Sequence, residues 1–328
     1  YILYNMNNTL FSYILDGVGG TKLLQPKHNE LDVNEQITWT HLDAKDPQSK
    51  EWLNKELSSS DPFITDALIA EKTRSRFTQI NDGMLITLRG INSNGNDCLN
   101  NMTSIRLWID KNRIISTSFE YLDLFDDIIE SFKKNTGPKN SADFIVFLIE
   151  KLSVRIEPVL ANIDDKLIDI EEQTIDVIDS DLRESVANLR RQIIVLRRYI
   201  VPQKDIIEQL RLSDLSWLSD SHKRYLVEIY NREIRYVEDL DEVNARLQEV
   251  KDQISNSLSD KINKKMYFLS IIAALFLPSS FLTGLMGVNV AGIPGSQNTH
   301  AFWIFLIKLL SIVVLQIYLF KKLKWFLK

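Results

Sequence analysis

The 328-residue chain is poor in several things, and each shortage excludes something. Cysteine occurs once, at Cys98, so no internal disulfide can form and no cysteine cluster can hold a metal. The four histidines, His28, His41, His222 and His300, are scattered without ligand spacing, so no dedicated zinc-binding motif is visible and metal ligands stay unassigned. Basic excess is missing: the formal net charge is −5, which gives no basic face for nucleic acid. No glycine-rich phosphate loop follows a strand, and no nucleophile–histidine pair stands out. The reading is therefore of a protein that is not an enzyme and carries no cofactor. The opening residues, from Tyr1, show no signal-peptide pattern.

Glycine is absent between Gly137 and Gly284, and after Pro138 only Pro158 and Pro202 interrupt before Pro278. So long a stretch without breakers predicts long helices. Charge is absent from Met266 to Val288, a run of 23 residues. As a helix it would be roughly 35 Å long, enough to cross a bilayer core. A second apolar run covers 301–320, and the segment between, 289–300, has neither acid nor Lys or Arg.

What is present divides the chain in three. Residues 1–143 hold seven of the eleven glycines and read as an α/β domain. Strands are expected at 11–15, 21–25, 37–42, 76–80, 84–90, 103–109 and 113–118. Helices are expected after Asp46-Pro47 and Asp61-Pro62, where Asp caps and Pro fits the first turn, and at 121–134. His41, inside a strand, reads as a satisfied core or edge histidine. Glu71-Lys-Thr-Arg-Ser-Arg76 reads as a solvated helix end, with an intersubunit or ion-sensing surface as the alternative.

Residues 144–262 read as a helical hairpin and a stalk. Phe144 to Ile170 runs at steps of three and four, and a second helix through Val186, Leu189, Ile193, Leu196 and Ile200 continues past Pro202 with a kink. Arg190, Arg191, Arg197 and Arg198 are expected to face Asp164, Asp165, Asp169, Glu171 and Glu172. From His222 one helix is expected to run unbroken into the membrane, with Leu226, Tyr230, Ile234, Val237, Leu240, Val243, Leu247, Val250, Ile254, Leu258 and Ile262 as its packed face. Its many acids, Glu228, Glu233, Glu238, Asp239 and Asp241 among them, read as a solvated face or as the lining of a vestibule that concentrates cations.

Residues 263–328 read as the membrane domain, with spans at about 266–288 and 301–320 and an outer loop at 289–300. Lys261, Lys264 and Lys265 precede the first span, and Lys321, Lys322, Lys324 and Lys328 follow the second. Both chain ends are then cytoplasmic, in a multi-pass inner (plasma) membrane protein, with Trp303 and Trp325 at interface positions. Lys308 lies within the second span and is expected to snorkel or find a partner, and Gln316 can bond a neighbouring helix. Along the first span Asn263, Met266, Leu269, Ala273, Leu277, Ser280 and Gly284 share one face. Its small and polar members fit either helix packing or a pore lining. Two spans cannot enclose a pore, so conduction requires an oligomer. Gly287-Val288-Asn289 closes the run: Gly287 allows close backbone approach, and Asn289 offers a neutral carbonyl. A helix C-cap and turn fits the same residues.

FLPSSFLTGLMGVNVAGIPG (276–295) resembles the membrane signature of the CorA-type divalent cation transporters. That family usually has Gly-Met-Asn where this chain has Gly287-Val288-Asn289, and its magnesium branch has an acidic loop where this one has no acid. WTHLD (39–43), TDALIAEKTRSR (65–76), LITLRGIN (85–92) and RRQIIVLRRYIVPQ (190–203) are similar, in the same order, to its zinc-transporter (ZntB) branch. The resemblance implies a homopentamer with the first span around the axis and the second outside. It implies that the face from Asn263 to Gly284 lines the pore, with Met266, Leu269 and Leu277 as its narrow apolar section. It also implies that rings of Asn289 select the hydrated ion, and that Zn²⁺ uptake is coupled to protons. Two other readings stay open: a Mg²⁺/Co²⁺ channel of the same type, and a membrane-anchored coiled-coil scaffold, which leaves the Gly-Val-Asn loop without a reason.

Overall fold

The computed structural model describes residues 11–24, 36–58, 60–71, 73–92, 102–176, 180–288, 293, 295 and 298–322. Two compact units divide it, residues 1–251 and 252–328. In the first unit seven strands form one sheet. They are β1 (Phe11–Leu15), β2 (Thr21–Leu24), β3 (Thr38–Asp43), β4 (Arg76–Ile80), β5 (Gly83–Ile91), β6 (Met102–Ile109) and β7 (Arg113–Ser118). Their order across the sheet is β2-β1-β3-β7-β6-β5-β4. Neighbours are antiparallel except β3 and β7, which run parallel with Trp39 opposite Ile114.

Local chemistry explains the elements. The β1–β2 turn closes on Asp16, whose carboxylate accepts from the N–H groups of Val18, Gly19 and Gly20 at 2.9, 3.0 and 2.9 Å. Those donors hold its carboxyl below the usual range. Gly19 sits at φ +109°, and a Cβ there would lie 2.8 Å from the Asn135 carbonyl oxygen, so glycine is required. Helices α1 (Pro47–Glu56) and α2 (Pro62–Ile69) start as their Asp-Pro pairs predict. Asp46 accepts from Gln48 N–H and Asp61 from Phe63 N–H, both at 2.9 Å.

The sheet is covered on both faces. Leu53, Ile64 and Leu68 of α1 and α2 pack on Leu85, Trp108 and Ile115. The opposite face holds the larger core: Trp39, Ile86, Leu88 and Leu107 against Phe125 and Ile128 of α3 (Leu124–Lys133) and Phe144 and Leu148 of α4 (Ser141–Val154). Each such side chain contributes about 1.5–3 kcal/mol when fully buried. His41 is inside this layer, with Nδ1 2.9 Å from Ser116 Oγ and its ring 4.3 Å from that of Phe125.

The helical part departs from the sequence reading in two places. The run from Phe144 to Ile170 is two helices, α4 and α5 (Glu157–Asp176), separated at Arg155 and Ile156. Pro158 is the cause: its ring would clash with the Val154 carbonyl four residues back, so the chain restarts with proline in the first turn. As the sequence predicts, α6 (Ser180–Leu212) passes through Pro202 and α7 (Asp220–Met286) passes through Pro278 without ending. Packing on both sides holds α6 together there, since Ile200, Ile206 and Ile207 are buried. Finally, the buried seam of α7 is Leu226, Ile229, Glu233, Tyr236, Leu240, Val243, Leu247, Val250 and Ile254. Tyr230, Ile234 and Val237, expected in that seam, are only half-buried. The observed spacing alternates three and four throughout, a stricter heptad than the expected face, and it draws Glu233 into the interior.

Burial pushes the His41 imidazole from its ordinary 6.5 down to about 3. The unfolded chain therefore takes up a proton between those values that the folded chain refuses, and His41 removes stability as pH falls from 6.5 toward 3. His41→Gln is expected to show a shallower loss of melting temperature over that window than the parent. Parallel curves would refute a buried neutral His41.

Candidate functional site

The second unit contains the end of α7 and all of α8 (Ala301–Lys322). Both are long and apolar enough to cross a membrane. Their large side chains face outward: Leu269 is 66%, Phe276 65%, Leu277 68% and Val314 65% exposed. An apolar surface this continuous needs lipid or another protein surface.

From Asn263 to Met286, among the described residues, one stripe of α7 is covered by the chain itself. Ile271 is buried, and Tyr267, Ala274, Leu275, Ser279 and Leu282 are half-buried. All seven residues of the face from Asn263 to Gly284 are exposed. At about 100° per residue, the mean directions of the two stripes lie about 160° apart. Met266, Leu269, Ala273, Leu277, Ser280 and Gly284 fall within about 40° of their common direction, and Asn263 lies about 80° off it. The helix thus turns its small and polar face away from its own covered stripe.

Gly284 lies inside α7, and a Cβ added there would meet nothing within 4 Å. A helical glycine costs about 1 kcal/mol relative to alanine, and nothing in the chain itself repays it. Gly287 closes the helix by donating to the carbonyls of Thr283 (3.0 Å) and Gly284 (3.1 Å), without a left-handed backbone. Thr283 donates to the Ser279 and Ser280 carbonyls at 3.0 Å, so hydroxyls satisfy backbone groups in the turns after Pro278. Val288 is half exposed, whereas Asn289, the residue that the resemblance assigns to ion selection, lies outside the described residues. In the turn before α8 the Asn298 side-chain oxygen accepts from His300 N–H at 2.9 Å. In α8 Lys308 is exposed, and Gln316 Oε1 is buried with no partner among the described residues.

The charges of the helical part pair differently from expectation. Asp164 and Glu171 of α5 are held by Arg246 of α7, at 3.2 and 2.7 Å. Arg197 of α6 pairs with Asp241 of α7 at 2.8 Å. The α5 and α6 helices meet through apolar faces, Ile163, Leu167 and Ile170 with Leu189, Ile193 and Leu196, so their charged flanks turn to α7 instead. Glu171 leads the groups that push the Arg246 guanidinium up. Glu233, read as one of the outer acids, is fully buried. Among the described residues no group of three or more His, Cys, Asp or Glu is placed to hold a metal.

A model of one family, the CorA-like Mg2+ transporter protein, matches residues 34–322. The chain belongs to this family. It is 35% identical over 320 residues to the zinc transport protein ZntB of Yersinia enterocolitica serotype O:8, covering 98% of this chain and 97% of that one. It is 32% identical over 322 residues to the divalent cation transporter CmaX of Pseudomonas aeruginosa, covering 96% of each. The solved structure of full-length CmaX superposes with a TM-score of 0.81 at 32% identity, over 96% of this chain and 97% of that one. Members of the family are named as transporters, in agreement with the reading that this chain is not an enzyme. The α/β domain, the long helix and the two C-terminal apolar helices are the family's architecture.

Sequence reasoning missed the burial of Glu233. The signal was available: stepping back from Leu240 by four and three gives Tyr236 and Glu233, then Ile229 and Leu226. The ion pairs of Arg246 are about one-third exposed, so each is worth at most about 1 kcal/mol. Arg246→Ala is expected to lower stability by about 0.5–1.5 kcal/mol in thermal unfolding, and less in high salt. A salt-insensitive loss would show that packing of its stem, not charge, matters there.

Proposed function

We propose that this CorA-like transporter carries divalent cations, Zn²⁺ foremost, across the membrane through a homopentameric pore lined by the first span. The single observation behind this reading is Gly284, a helical glycine on an exposed face with open space where a side chain would be. A neighbouring copy or an ion path supplies the reason that the single chain lacks. In this reading residues 1–143 and 144–262 form the cytoplasmic domain and stalk that gate the pore, and 263–328 the membrane domain. Both chain ends are cytoplasmic, in the inner (plasma) membrane, and the lysines flanking the spans support this orientation.

The chemistry follows from the cation. A divalent ion gives up its inner water reluctantly, so a ring of Asn289 carbonyls that accepts from bound water selects it at low cost. Below the ring, Gly284, Ser280 and Ala273 leave room for the hydrated ion. Leu277, Leu269 and Met266 form an apolar constriction that conducts only when wetted. Zinc is favoured by the name of the relatives at about 35% identity, and by a loop without the acid expected of a magnesium channel. The description of the family keeps Mg²⁺ as the second reading. Uptake driven by a proton gradient belongs to the zinc reading.

Purified protein in liposomes is expected to take up Zn²⁺ faster with an inward proton gradient. Magnesium flux independent of the gradient would replace the zinc reading with the channel reading, and no flux of either metal would favour a scaffold. Asn289→Ala is expected to abolish uptake while leaving the oligomer intact on size exclusion. Unchanged uptake would remove Asn289 from the mechanism. Gly284→Leu is expected to lower uptake at least tenfold without unfolding the chain, because its side chain meets nothing in the monomer.

A further inference from the structure

We propose that Glu233 is a proton-operated packing switch: as the neutral acid it is retained in the seam where α4, α6 and α7 meet, and on losing its proton it loosens that seam by drawing in water. The argument begins with geometry. Glu233 is fully buried at a heptad position whose neighbours along the helix, Leu226, Ile229, Leu240 and Val243, are apolar. Three helices bring buried polar atoms to one place. Both Glu233 carboxyl oxygens, Ser153 Oγ of α4, Gln203 Nε2 of α6 and the Tyr236 hydroxyl of α7 are buried, and none makes a hydrogen bond of ordinary geometry among the described residues, although Ser153 and Gln203 lie close enough to act on the carboxylate. An ionised carboxylate so enclosed, with neutral Ser153 and Gln203 as its nearest polar neighbours on the facing helices, is disfavoured, whereas the neutral acid is tolerated and adds a donor.

The charged and titratable groups that act on this site are few. From α7, Arg232 favours the ionised form, and Tyr236 lies beside it with its hydroxyl pushed up by burial and by Glu157 of α5. The other two helices contribute Ser153 and Gln203, which favour the anion but do not titrate. Burial outweighs them and raises the Glu233 carboxyl from 4.5 to about 7.

The location suits a switch. Gln203 follows Pro202, which lacks a backbone N–H, so α6 is short of one helical bond at this level. Ser153 is in the last turn of α4, just before the break at Arg155 and Ile156. Two of the three helices are thus least regular where Glu233 meets them. Arg232 and Tyr236 also line a groove of about 490 Å³ between α5 and α7, which brings solvent close to the buried site.

The sign is fixed by linkage. The folded carboxyl binds a proton more tightly than the unfolded one, so the contribution of Glu233 is present below about 4.5 and is lost as pH rises through about 7. The test uses the full chain in detergent, without added metal, comparing the parent with Glu233→Gln from pH 5 to 8.5. The variant's melting temperature is expected to exceed the parent's by several degrees at pH 8, with the difference shrinking steadily toward pH 5. Hydrogen exchange, corrected for intrinsic rate, is expected to accelerate between pH 6 and 8 in peptides containing Ser153, Gln203 and Glu233 of the parent only. A pH-independent difference, the result if Glu233 merely sets the register of the seam, would overturn the proposal. If the variant does not fold, infrared titration of the ¹³C-glutamate-labelled parent decides. A protonated carboxyl lost near pH 7 supports the switch, and none above pH 5.5 overturns it. No readout involves metal flux, so failure here leaves the transport reading standing.

Discussion

Helix α7 carries an enclosed apolar seam from Leu226 to Ile254 and an outward-facing apolar surface from Met266 to Met286, and the two need different surroundings. Backbone hydrogen bonding reconciles them. A helix satisfies its own N–H and C=O groups whether its side chains meet protein, water or lipid, so one element can serve both stretches. Strands could not do so, because their polar edges would need partners throughout. The absence of glycine from 137 to 284 is the sequence counterpart of that demand, and Gly284 is the first place where the chain relaxes it. Proline does not relax it: Pro278 sits inside α7, followed by turns in which Ser279 and Thr283 donate to backbone carbonyls.

Buried polarity is handled in two ways in the first unit. His41 and Trp39 share the Ser116 hydroxyl at 2.9 Å, in a layer closed by Phe125 and Phe144. There the group stays neutral, and its donors and acceptors are matched. At Glu233 the matching is incomplete: five buried oxygen and nitrogen atoms on four side chains from three helices stand near one another without a bond of ordinary geometry among the described residues. The first arrangement fixes a core. The second leaves a core sensitive to whether one proton is bound. On the surface of the same helices the charges are conventional. Arg246 and Arg197 join α7 to α5 and α6 through half-exposed pairs that orient the helices more than they stabilise them.

Most of the α/β domain was legible in the residues. Asp46-Pro47 and Asp61-Pro62 started the helices they announced, because a carboxylate that accepts an orphan N–H acts within its own turn. Each expected strand was found within a residue or two, since alternation reports which side of a pleat a residue occupies. The order of strands, with β3 parallel to β7 across a gap of some seventy residues, had no local signal. The arginine partners were misjudged for the same reason. Nearness in sequence placed Arg190, Arg191, Arg197 and Arg198 opposite the acids of α5, but packing of apolar faces determined which flanks met.

The amino-acid sequence by itself determined the helices, the uncharged spans, the flanking lysines and the Gly-Val-Asn motif, and through these the family. All of them are set by residues within a few turns of one another, or by composition that lipid and water sort directly. Tertiary structure decided which side of α7 is covered, that Gly284 stands in open space, and which of two competing registers along α7, one of them with Glu233 inside, is the buried one. Those facts depend on what packs against a residue, and a shift of one position along a heptad is enough to exchange a solvated acid for a buried one.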